Sequence, residues 1–172
     1  MALIASSRHE AGSRSFPPLV YILAPLLALG LQSFLSLHFT SFDLIDLPLL
    51  ITIYYGISMR EPMSATVVGA IVGIAQDALT HHPLGIFGIT KAVIGYLAAS
   101  LGVRVDTENH GSRVLLTFAF TLAQTGMLWL LERRMLGQPF AWHWVHEIIR
   151  AAANSLFAVI LFALLDRTRR ES

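Results

Sequence analysis

Residues 69–91 read "GAIVGIAQDALTHHPLGIFGITK". An apolar run with recurring glycines ends in an aspartate, bends, and resumes as a second apolar run that carries a lysine. Gly69, Gly73 and Asp77 are four positions apart, so they stack on one face of a helix. The two glycines form a small-xxx-small surface that lets a neighbouring backbone come close. Pro83 and Gly85, with Leu84 between them, mark a turn. Beyond it Gly88, Lys91, Gly95, Ala98 and Gly102 alternate in steps of three and four, which makes one seam along a second helix. The stretch reads as a helical hairpin with one charge in each arm.

The solvent of that hairpin follows from composition. Of 172 residues, 55% are hydrophobic and 13% charged, with a mean hydropathy of +0.63. Water-soluble domains carry about 25% charged residues, and here the apolar residues come in long blocks, as expected when lipid is the solvent. The expectation is an all-α integral membrane protein. A net charge of +1 supplies no basic field, so no nucleic-acid partner is expected. The absence of cysteine excludes disulfides, thiolate metal sites and cysteine nucleophiles.

A helix needs about 20 mostly apolar residues to cross a bilayer. Six segments approach this, at 17–38, 44–59, 63–79, 87–104, 112–131 and 148–166. The expected organisation is a cytoplasmic tail (1–16), a six-helix membrane domain (17–166) and a basic cytoplasmic tail (167–172). With both termini inside, the inner segments hold Arg8, Arg14, Arg60, Arg104, Arg113, Arg167, Arg169 and Arg170. Lys91, Arg133, Arg134 and Arg150 fall outside, so the basic excess favours N-in and C-in. Trp142 and Trp144, in the longest connection, suit headgroup anchors.

Asp77 lies near the end of its span and Lys91 near the start of the next. At about 1.5 Å per residue the two differ in depth by only a few Å, within a lysine's reach. Each opposes the dipole of its own helix, at about 0.3–1 kcal/mol. A lone charge near mid-membrane costs about 2.5–3.5 kcal/mol. An Asp77–Lys91 ion pair latching the hairpin offsets both. Separate snorkelling into the headgroups and a proton-coupling role for Asp77 are the alternatives.

Further polar stripes occur on other spans: Gln32 and Ser36; Thr117, Thr121 and Gln124; Glu147, Arg150 and Asn154. Interhelical hydrogen bonding accounts for them, while the sharper reading is a polar pocket that includes Gln124, Arg150 and Asn154. His38, His81, His82, His143 and His146 fall on the outer side, but "HWVHE" matches no zinc motif and no metal site is expected. No nucleophile motif or phosphate loop is present. The chain reads as a non-enzyme without a cofactor.

Residues 46–102 carry a further pattern. Asp46 and Pro48 open a short apolar span, and Arg60 and Pro62 follow it. Gly69 and Gly73 lead to Asp77, Leu84–Gly85 forms the turn, and Gly95–Tyr96 follows in the next helix. In this arrangement the chain resembles the rod shape-determining protein MreD family. The resemblance implies a non-enzymatic scaffold of the cell-elongation machinery in the bacterial inner membrane. Its implied partners are an MreC-like protein, a RodA-type glycosyltransferase, a class B penicillin-binding protein and a nearby MreB-type filament, with membrane lipid around it. It also implies a fold similar to the substrate-binding subunits of energy-coupling-factor transporters, so the alternative is a substrate-binding subunit of a vitamin-type transporter. Leu84 and Gly85, with Gly69, Gly73, Gly88, Gly95 and Gly102, are then the expected helix-packing or partner-binding positions.

Overall fold

The computed structural model describes residues 18–38, 44–80, 83–105, 109–136 and 143–167. The tail expected at 1–16 and all of that expected at 167–172 except Arg167 lie outside the described residues, as do His81, His82 and Trp142. Six α-helices follow one another: α1 (Pro18–His38), α2 (Leu47–Met59), α3 (Pro62–Thr80), α4 (Ile86–Gly102), α5 (His110–Leu131) and α6 (Trp144–Asp166). A π-helical turn, Glu132–Leu136, extends α5. No strand occurs among the described residues.

Helix ends follow local chemistry. Asp46 caps α2 by accepting from Leu49 N, with proline in the first turn where its missing N–H costs nothing. Arg60 stops α2 in a left-handed conformation (φ 53°), its N–H bonded to Gly56 O. Pro62 then starts α3. Gly85, at φ 103°, turns the chain into α4, a backbone region that costs other residues dearly. Asn109 caps α5 through Gly111 N.

Helix α2 is the axis of the bundle and touches all five other helices. It is buried on every side from Leu47 to Ile57, which is how a helix apolar all round must sit. The hairpin of α3 and α4 packs on one flank and that of α5 and α6 on another, with α1 laid against α2 and α3. Leu49, Leu50, Ile53 and Tyr54 of α2 meet Ile94, Phe120, Ala158 and Phe162 in the core.

The surface is the reverse of a soluble protein's. Leu27, Phe34 and Leu37 of α1, Val67 and Ile71 of α3, and Leu156, Ile160 and Leu164 of α6 are exposed, whereas Asp46, Asp77, Lys91, Gln124 and Asn154 are buried. Four helices, Val20–His38, Pro62–Thr80, His110–Arg134 and Trp144–Arg167, are long and apolar enough to cross a membrane. The chain has the build of a multi-pass membrane protein. With 13 and 17 residues, α2 and α4 are shorter, about 20 and 25 Å against a hydrocarbon core of about 30 Å.

The glycine seams close α4 onto its neighbours. A Cβ on Gly69 would fall on the Lys91 carbonyl, one on Gly73 on the Phe87 carbonyl, and one on Gly95 on the Ala65 carbonyl. Gly102 abuts the backbone of Ile57, and Gly88 abuts the Ile74 side chain. All five of these glycines are spent on packing within the chain.

At one end of the bundle, Tyr55 Oη donates to Val20 O (2.7 Å) and Tyr54 Oη to Asp166 Oδ1 (2.7 Å). Arg113 also pairs with Asp166. This end gathers the start of α1 and the end of α6. The end of α1, the starts of α2, α4 and α6 and the end of α3 lie at the opposite end, with the buried Asp46, Asp77, Lys91 and Glu147.

Candidate functional site

The non-helical backbone at 45–46 leads into the buried α2, where peptide groups need partners within the protein. Side chains from other helices satisfy it. Asn154 of α6 accepts from Asp46 N (2.9 Å) and donates to Leu44 O (2.8 Å). Gln32 of α1 accepts from Leu47 N (3.1 Å). The short α2 and its strap are therefore held by polar groups on both outer helices.

The Asp46 carboxylate is the hub. Its Oδ1 accepts from Leu49 N, and its Oδ2 accepts from Lys91 Nζ (2.9 Å) and from Gln124 Nε2 (2.7 Å). Lys91 also donates to Gln124 Oε1 (3.1 Å), closing a three-membered ring of side chains from α2, α4 and α5. The Lys91 ammonium stands 4.9 Å from the centre of the Phe87 ring, a cation–π contact. Lys91 is fully buried. A charge so placed is sustained only by a partner with good geometry.

The ion pair expected from the sequence is thus corrected: Lys91 pairs with Asp46, not with Asp77. Asp77 is fully buried and does other work. Its Oδ2 accepts from Gly85 N (2.8 Å) and Gly88 N (3.3 Å), and its Oδ1 from Phe87 N (3.1 Å). It caps the next helix across the turn. The carboxylate that opposes the dipole of α3 lies at the positive end of α4, where it is favoured and supplies acceptors for otherwise orphaned donors.

Gln124 and Asn154, two members of the expected polar pocket, do come together, but their amide groups are engaged with the protein itself. Arg150, the third, is half-buried on α6, close enough for its charge to act on both Asp46 and Lys91. Leu84 is 75% exposed at the tip of the α3–α4 turn, beside Gly85, where a Cβ would meet nothing within 4 Å. Among the described residues no three His, Cys, Asp or Glu side chains gather as for a metal. His38 bonds back to Phe34 O, and His146 lies 3.5 Å from Glu147 Oε1.

The sequence alone places Asp46 at the entry to a short apolar span but gives neither it nor Gln32 a part in the site. The signal for Asp46 was present: an aspartate one residue before Leu-Pro at the head of an apolar run is a helix cap, and a cap on a buried helix is itself buried. Comparisons of the chain with known protein families, with curated proteins and with solved structures find no match.

Proposed function

We propose that this protein is a non-enzymatic membrane scaffold of the bacterial cell-elongation machinery. It displays Leu84, beside the Asp77-capped start of α4, to an MreC-like partner and, through it, to a RodA-type glycosyltransferase and a class B penicillin-binding protein. In this reading all six helices cross the inner membrane with both termini in the cytoplasm, and an MreB-type filament lies on that side. The short α2 spans because other helices shield it, with the polar ring making up the missing length.

One observation carries the reading. The charged and amide side chains of the polar ring are bonded to one another or to backbone, and the glycine seams are closed, so the hairpin is held in one shape while Leu84 is left on display. That is what a docking element needs, since a preformed surface loses little entropy on binding. The MreD-like pattern of residues 46–102 supports the same role, because its Asp46, Asp77, Gly85 and glycine-seam positions are those that build the fixed hairpin.

Affinity purification of the tagged chain from native bacterial membranes in mild detergent, with mass spectrometry of its companions, tests the proposal. An MreC-type protein in near-equal amount, lost when Leu84 is replaced by aspartate, is the expected result. Co-purification of an ATPase pair with a coupling subunit would instead support the vitamin-transporter reading and overturn this one.

A further inference from the structure

The inward stripe of α6 begins with Glu147 and continues through Ala151 and Asn154. Asn154 bonds the backbone of the 44–46 strap, and Glu147 lies two turns nearer the helix start. Glu147 is 5% exposed. Oε1 faces the His146 ring at 3.5 Å, but Oε2 is buried with no hydrogen-bond partner. One turn along, Arg150 is half-buried, and among the described residues no ion pair joins it to Glu147 or Asp46. A buried carboxyl oxygen with no hydrogen-bond partner therefore sits one turn from a guanidinium on the same helix.

The position restricts what can complete it. Glu147 is in the first turn of a membrane-length helix, beside an exposed Trp144, and tryptophan marks headgroup depth. Val145, Ile148 and Ile149 expose apolar side chains around it, suited to acyl chains. The ligand must bring an N–H-bearing cation to Glu147 and an anion to Arg150. A choline headgroup has no N–H to donate, and a glycerol headgroup has no cation. Ethanolamine phosphate has both, and its primary ammonium is slim enough for a nearly closed site.

We propose that Glu147 and Arg150 bind the headgroup of an ethanolamine phospholipid, the carboxylate taking the ammonium and the guanidinium taking the phosphate. The site stands independently of the scaffold reading, since it rests on α6 alone and on a lipid rather than on a protein partner.

The test is thermal unfolding of the full chain, delipidated in detergent, with short-chain phosphatidylethanolamine, phosphatidylcholine or phosphatidylglycerol, or with soluble phosphoethanolamine. Near-saturating phosphatidylethanolamine should raise the midpoint on the order of 5 °C above the choline and glycerol lipids. Glu147→Gln should abolish that difference, and Leu164→Ala, on the lipid-facing side of α6, should keep it. Equal shifts with all three lipids, or a preference that survives Glu147→Gln, would overturn the site. Equal stabilisation by phosphoethanolamine would overturn the lipid assignment in favour of a soluble ligand. Should the Gln variant fail to fold, native mass spectrometry of the unaltered protein decides. Bound phosphatidylethanolamine enriched over its share of the membrane supports the site, and no enrichment refutes it.

Discussion

Lys91→Met would leave the Asp46 carboxylate without its counter-charge. Asp46 keeps Gln124 Nε2 and Leu49 N, yet both bonds exist before the change and offset none of the loss. Removing one partner of a buried pair costs about 3–5 kcal/mol. Insertion scales give about 2.5–3.5 kcal/mol for a charge near mid-membrane, so about 3 kcal/mol is expected. Asp46→Asn strands the lysine instead, at a similar cost, although the amide oxygen can still accept from it. The double variant, with neither charge, should be no worse than either single one, which leaves a coupling of at least about 3 kcal/mol. Asp77→Asn should cost about 2 kcal/mol, since one amide oxygen replaces two carboxylate oxygens that serve three backbone donors. Combined with Lys91→Met it should add to within about 1 kcal/mol. Reversible unfolding in mixed micelles measures all five variants. A larger coupling of Lys91 to Asp77 than to Asp46 would refute the assignment of the pair.

Gly73→Ala forces a methyl onto the Phe87 carbonyl and should destabilise by about 1–3 kcal/mol. Gly30→Ala, with nothing within 4 Å, should be neutral or gain up to about 1 kcal/mol, both read by the same unfolding assay. Tyr54→Phe loses the bond to Asp166 and should cost about 1 kcal/mol. Because the chain has no cysteine, single cysteines at Leu84 and Arg167 can be labelled without background in intact cells. Only the first should react with an impermeant maleimide, and the reverse pattern would invert the topology.

The apolar blocks made the six helices legible, because burial in lipid demands long runs whatever the tertiary fold. The glycine spacing likewise pointed to close helix contacts, since a Cβ-free face has few other uses. The partner of Lys91 was not legible. Asp77 is near in sequence and at the right depth, whereas Asp46 is 45 positions away, and only the central placement of α2 brings it to α4. Dipole reasoning confined to α3 made Asp77 look misplaced. Its true setting is the N-terminus of α4, 8 to 11 positions on. The start of α6 at Trp144 rather than at 148 was hidden by the polar "HWVHE", which the sequence alone assigned to an interfacial loop.

The strap at 44–46 ties the first half of the chain to the last. Asp46 precedes its partner Lys91 in the chain, and Asp77 precedes the helix it caps. Yet Leu44 O finds its donor and Asp46 N its acceptor only when Asn154 arrives on α6. The strap is thereby closed only once α6 is in place. A fragment ending near residue 109 should insert but stay open at the strap, and pulse-chase labelling should show it degraded faster than the full chain. A fragment equally long-lived would mean that the last helix is not the closing piece.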